Sequence, residues 1–130
     1  MEDSVFTKII RGDIPSHKLY EDDYTFVFLN IYPSVAGHIL VIPKVQVDHL
    51  EDLDESVYQA VMTTTRLMMK RVIEVLGVER ACIKVEGFEV PHAHIHILPC
   101  NSPADFTKPQ TTQEPDHVAL EAMAKKLRIA

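Results

Sequence analysis

Between Asp54 and Gly77 the chain carries an apolar stripe with the period of an α-helix. Val57, Ala60, Val61, Thr64, Leu67, Met68, Val72 and Val75 recur at helical spacing. Asp54 is a natural N-cap and Gly77 a natural stop. The helix so bounded runs about 22 residues, or ~33 Å. A rod of that length buries its stripe against a sheet or other helices, and the rest of the chain supplies strands. Tyr20-Glu21 and Tyr24 to Leu29 read as a hairpin joined at Asp22-Asp23. Asn30 to Gly37 is a loop, and His38 to Pro43 is an apolar strand of the kind buried on both faces. Upstream, Ile9 and Ile10 lead into a turn or short loop at Gly12-Asp13-Ile14-Pro15. Downstream, Ala81 to Val85 and His92 to Pro99 read as strands, and Asn101 to Glu114 as polar loop. Pro115 opens a short C-terminal helix carried by Val118, Leu120, Ala122, Met123, Ala124 and Leu127. This order predicts an α+β fold: a mostly antiparallel sheet of about five strands, one long helix and a short C-terminal helix. No Gly-rich fingerprint follows a strand, which argues against a dinucleotide-binding or P-loop fold.

The 130 residues are 46% apolar and 25% charged, a globular composition, and one domain over 1–130 is expected. At this size roughly two-thirds of the unfolded surface is buried on folding, enough for a core without staples. The net charge of −6 and the lack of any Lys/Arg run disfavour general affinity for nucleic acid or anionic lipid. The longest apolar stretch, Ile39 to Pro43, is too short to cross a bilayer. Met1-Glu2-Asp3-Ser4 is acidic and lacks the pattern of a signal peptide. Cys82 and Cys100 make no disulfide framework, so a reduced, cytoplasmic setting is expected.

The chemistry concentrates in Pro91-His92-Ala93-His94-Ile95-His96-Ile97-Leu98-Pro99. Side chains alternate along a strand, so His92, His94 and His96 share one face and Ala93, Ile95 and Ile97 the other. Two readings follow. In the first, neighbouring imidazoles bind a metal. The first and third rings lie ~13 Å apart along the strand, so an outside ligand is needed, with Asp48, His49 and Glu89 as candidates without ligand spacing. In the second, a neutral imidazole is a nucleophile, good toward phosphorus and later a good leaving group, while its neighbours donate to phosphate oxygens.

His92-Ala93-His94-Ile95-His96-Ile97-Leu98 resembles the histidine triad motif, in which His and apolar residues alternate three times. The resemblance covers most of the chain. Phe6 to Pro15 resembles that family's opening segment, and Tyr20-Glu21-Asp22-Asp23 and Phe28-Leu29-Asn30-Ile31-Tyr32-Pro33 its next signatures. Gly37 to Lys44 resembles the strand that follows.

The resemblance implies a metal-independent nucleotide hydrolase or nucleotidyl transferase, without a cofactor, acting on the α-phosphate of a phosphoramidate or dinucleoside polyphosphate. By position, His94 is the nucleophile that forms a nucleotidyl-histidine. His96 donates to the non-bridging oxygens, His92 fixes the tautomer and orientation of His94, and His38 supports the cluster. Asn30 and Ile31 stand where the family holds ribose and base, with Asn30 in place of the usual Asp, and Phe6 stands at an apolar wall of the base pocket. Lys84 and the backbone around Gly87 are further donors for the phosphate. Phe88 and Glu89 depart from the family pattern on the leaving-group side; the Glu89 carboxylate serves as an acid or base, or points to solvent. Many bacterial relatives carry structural zinc, but Ser4 and Thr7 replace its Cys ligands and Gln46 its His, so no zinc is expected. A purine nucleotide substrate is expected, and a homodimer that pairs the long helices and continues the sheet. Two alternatives stand: a nucleotide-binding regulatory protein with little turnover, and a His-based metal-binding protein.

Overall fold

The computed structural model describes residues 2–129; Met1 and Ala130, the ends of the domain expected over 1–130, lie outside the described residues. Five strands form one sheet: β1 (Lys18–Glu21), β2 (Thr25–Leu29), β3 (Ile39–Pro43), β4 (Arg80–Lys84) and β5 (Ile95–Cys100). Their spatial order is β1-β2-β3-β5-β4, with every neighbouring pair antiparallel. Among the described residues four α-helices, α1 (Val5–Arg11), α2 (Glu55–Leu76), α3 (Pro103–Thr107) and α4 (His117–Leu127), and a 3-10 turn at Leu50–Asp52 complete the fold. Both faces of the central strands are covered, which is why β2, β3 and β5 are buried throughout.

The alternation of side chains divides the core in two. Val27, Leu29, Ile39, Val41, Ile95 and Ile97 pack against Val61, Met68 and Val72 of α2, with Ala124 and Leu127 of α4. Phe26, Phe28, Leu40 and Ile42 occupy the opposite face and pack against Phe6 of α1. The long helix, together with α4, therefore shields one side of the sheet. The other side carries the short helix α1 and Val90 of the β4–β5 loop, and a cleft opens there.

Several boundaries differ from those the sequence predicts. The segment around Ile9 and Ile10 is helical: the Ser4 hydroxyl caps α1 by accepting from the Thr7 N–H at 3.0 Å, and Gly12, at φ +82°, closes it. The polar stretch 101–114 contains the short helix α3, started by Pro103. β5 begins at Ile95, not His92. Val41–Ile95 is the last rung of its ladder with β3; the His92 N–H bonds to Val90 O and the Ala93 N–H to Val47 O. The hairpin begins at Lys18 and turns on Asp22, whose Oδ1 accepts from the N–H groups of Tyr24 and Thr25. α4 begins at His117, two residues past Pro115, with Asp116 as its cap. Among the described residues no helix is long and apolar enough to cross a membrane.

Candidate active site

The cleft has a volume of about 280 Å³. Phe28 and Leu40 form its floor, Phe6 and Ile9 of α1 its wall, and His94 and His96 its polar end. Phe28, Leu40 and His96 stand in one cross-strand row, so the register of β2, β3 and β5 brings them together. Phe6 meets the His94 ring edge-on at 5.0 Å between centroids, and His94 meets His96 in the same manner at 5.0 Å.

The hydrogen bonds assign the proton on each imidazole. His94 Nδ1 lies 2.7 Å from the His92 carbonyl, which can only accept, so Nδ1 holds the proton. In that tautomer the lone-pair nitrogen is Nε2. His38 Nδ1 accepts from the Ser34 N–H at 3.0 Å, so its proton is on Nε2 and is donated to His96 Nδ1 at 2.8 Å. The proton of His96 is thereby placed on Nε2. That nitrogen is buried without a hydrogen-bond partner among the described residues, on a residue 3% exposed. Burial, with the neighbouring His96 and Lys84, pushes His38 down to about 3. Burial, with His94 and Lys84, pushes His96 down to about 4. Both rings are neutral near pH 7. His38 itself is set by Gly37 (φ +83°), where a Cβ would approach Leu76 to 3.0 Å and Pro99 to 3.2 Å.

His92 turns elsewhere. Its Nε2–H donates to Pro43 O at 2.8 Å, and its Nδ1 accepts from the Ser4 hydroxyl at 2.8 Å. Burial again lowers its pKa. It reaches His94 through its backbone carbonyl, not its ring. With both ring nitrogens engaged, it does not converge with His94 and His96 on a common point. Around it sit the positions that hold zinc in many relatives. The Thr7 hydroxyl donates to Gln46 Oε1 at 2.6 Å, and the Ser4 N–H donates to the same oxygen at 2.7 Å. Two hydroxyls, an amide and one imidazole, bonded to one another, do not fit zinc.

Of the remaining candidates, Asn30, Ile31 and Glu89 line the cleft. Asn30 Oδ1 accepts from the Tyr32 N–H at 2.8 Å, which leaves the Nδ2 amide donors without a partner among the described residues. Lys84 pairs with His96 across β4 and β5 but does not line the cleft; its charge reaches the imidazoles from the side. Gly87 turns the loop at φ +79° and is also absent from the lining. Phe88 is 93% exposed and points to solvent. Glu86 and Gln110 line the cleft and carry no sequence signal, because both lie in irregular segments. Gln110 is held by donating from Nε2 to Tyr32 O at 2.9 Å.

The HIT domain family model matches residues 11–102. Among curated relatives, the adenosine 5'-monophosphoramidase of Saccharomyces cerevisiae is 38% identical over 96 residues, covering 73% of this chain and 61% of the relative. The chain thus spans less than two-thirds of that relative's length. The purine nucleoside phosphoramidase of Escherichia coli is 32% identical over 104 residues, covering 75% of this chain and 87% of the relative. The crystal structure of a HIT-like protein from Bartonella henselae, described as involved in cell-cycle regulation and with an unknown ligand, superposes with a TM-score of 0.87. It is 30% identical, and the match covers 97% of this chain and 94% of that one.

Proposed function

This chain belongs to the HIT family, and from that premise we propose that it hydrolyses a purine nucleoside phosphoramidate through a covalent nucleotidyl-histidine. The names of the yeast and E. coli relatives support the substrate class. The observation that carries the reading is the tautomer of His94: its Nδ1 proton is tied to the His92 carbonyl, which presents the Nε2 lone pair as a nucleophile.

In the first half-reaction, His94 Nε2 forms a bond to the α-phosphorus. The bond from phosphorus to the leaving nitrogen breaks with its electron pair on nitrogen, which takes a proton from solvent. In the second, water bonds to phosphorus, the P–Nε2 pair returns to His94, and the water proton passes to solvent. His96 Nε2–H meets charge on a non-bridging oxygen throughout and keeps its proton. The apolar walls at Phe6, Ile9 and Ile31 take the base. His92 acts as a positioning residue through its carbonyl, and His38 through His96.

The test is adenosine 5'-phosphoramidate with wild type and His94→Ala. Wild type should release adenosine monophosphate and trap label as an acid-labile nucleotidyl-imidazole; the variant should do neither. Equal product from both proteins overturns the mechanism. A nucleotide-binding role with little turnover is favoured by the donor that Asn30 presents where an acceptor for ribose is needed; binding by both proteins without turnover would support it. A homodimer is part of this reading. It is supported by Leu67 and Ile73 exposed on α2 and by Ile83 exposed on the edge strand β4. A single domain over 1–130 and a cytoplasmic location complete the proposed reading.

A further inference from the structure

Two exposed carboxylates line the cleft. Glu86 and Glu89, in the loop between β4 and β5, line the same cavity as His94 and His96. Neither is in a salt bridge among the described residues. Among those residues no Lys or Arg lines the cleft. Lys84 sits beside His96 on the sheet and outside the lining. At the polar end, the buried and unpartnered His96 Nε2–H is one neutral donor, matched to one phosphoryl group.

A nucleotide brings its own negative charge to this end. A polyphosphate leaving group would add more, next to two carboxylates and, among the described residues, with no Lys or Arg in the lining to offset it. An amine carrying a second, cationic group would instead place that cation against Glu86 and Glu89. We propose that Glu86 and Glu89 select the leaving group, favouring phosphoramidates of amines that bear an ammonium and disfavouring anionic leaving groups. The inference rests on the hydrolase reading above. The chemical step is the one already balanced, with the P–N bond breaking and the departing nitrogen taking its proton from solvent; the carboxylates act on the remote charge only.

The test compares adenosine 5'-phosphoramidates of three amines of similar size at low salt: ethylenediamine, with a free ammonium; 2-methoxyethylamine, neutral; and taurine, with a sulfonate. Diadenosine tetraphosphate is the polyphosphate probe. Both carboxylates are exposed, so each should change the cationic-to-anionic ratio of kcat/KM by about threefold, or roughly tenfold together. The ratio should shrink as salt approaches 0.5 M. Glu86→Gln with Glu89→Gln should bring the ratio close to one. Equal kcat/KM for the three amines, or a ratio that survives the double substitution, overturns the proposal while the hydrolase reading stands. No turnover of any of the four compounds overturns the hydrolase reading, and this proposal with it.

Discussion

The Nε2 proton of His38 is donated to Nδ1 of His96 across 2.8 Å, linking the residue ahead of β3 to the middle of β5. The bond matters for what it does on the far side of the second ring. With Nδ1 of His96 occupied as an acceptor, the neutral ring can carry its proton only on Nε2, where the phosphoryl oxygen is proposed to bind. Removing the donor by His38→Ala frees His96 to take the other tautomer and leaves a buried acceptor unpaired. We expect kcat to fall by about ten- to a hundredfold with a smaller change in KM, since the lost donor is needed most as charge develops. His38→Gln, whose amide can donate in the same direction, should recover part of the loss. Steady-state kinetics of the two variants checks this; equal values of kcat for wild type and His38→Ala would refute it.

Acid should unfold the protein earlier than its carboxylates alone would. His38 and His96 are held at about 3 and about 4, below the ordinary 6.5. The unfolded chain takes up both protons near pH 6.5, and the folded chain does not until the pH is far lower. The stabilisation is therefore complete above pH 6.5 and drains away as pH falls toward 4. Each group contributes a slope of about 1.4 kcal/mol per pH unit in that window. Two such groups would remove about 5 kcal/mol by about pH 4.5, the low end of a typical domain's whole stability. Thermal melts followed by circular dichroism from pH 7 to 4 should show the steep decline. His38→Gln with His96→Gln should flatten it, and an identical slope in that variant would exclude this origin.

What the sequence disclosed follows the strength of each local signal. α2 was readable because eight positions from Val57 to Val75 keep one period, and β3 because Ile39 to Pro43 has no polar interruption. α1 was not, since seven residues with Ile9 and Ile10 adjacent give no usable period, although Ser4, Thr7 and Gly12 supplied both caps. Strand alternation grouped the triad but extended the strand to His92, when the chain leaves the ladder at Ile95. The family resemblance supplied His38 as a member of the cluster. The direction of each proton came only from its partners: Ser34, the His92 carbonyl and Pro43. Glu86 and Gln110 reach the cleft from irregular segments, where one sequence offers no pattern to place them.

Asn30 makes a specific statement about ribose. Its Oδ1 already accepts from the Tyr32 N–H, so what it offers a ribose is the second lone pair of a neutral, shared oxygen and an amide donor. A carboxylate at this position would keep the bond to Tyr32 and add a free, charged acceptor for ribose hydroxyls. Asn30→Asp should therefore raise the preference for an adenosine 5'-phosphoramidate over its 2',3'-dideoxy counterpart, by about tenfold in kcat/KM if one charge-assisted bond is gained. A ratio unchanged by the substitution would mean that this residue does not contact the sugar.

The network around His92 makes a further prediction, about metal. Ser4 Oγ and His92 Nδ1 are 2.8 Å apart, Ser4 Oγ and Thr7 Oγ1 3.3 Å, Thr7 Oγ1 and His92 Nδ1 3.4 Å, and Thr7 Oγ1 and Gln46 Oε1 2.6 Å. Ligands on a tetrahedral zinc lie roughly 3.3–3.8 Å from one another, given bonds of ~2.0–2.3 Å. These four separations thus need to widen by no more than about 1.2 Å to match those around an ion. His92 is already prepared as a ligand: the Pro43 carbonyl holds the proton on Nε2 and leaves Nδ1 with its lone pair directed at Ser4 and Thr7. Ser4→Cys with Thr7→Cys and Gln46→His should accordingly create a site that takes up one zinc per chain. Its melting temperature should rise with zinc and fall with a chelator, while wild type should melt at the same temperature with or without the chelator. Elemental analysis together with calorimetry decides the matter. A triple variant that folds yet holds no zinc would show that the backbone here is closed too tightly for a metal.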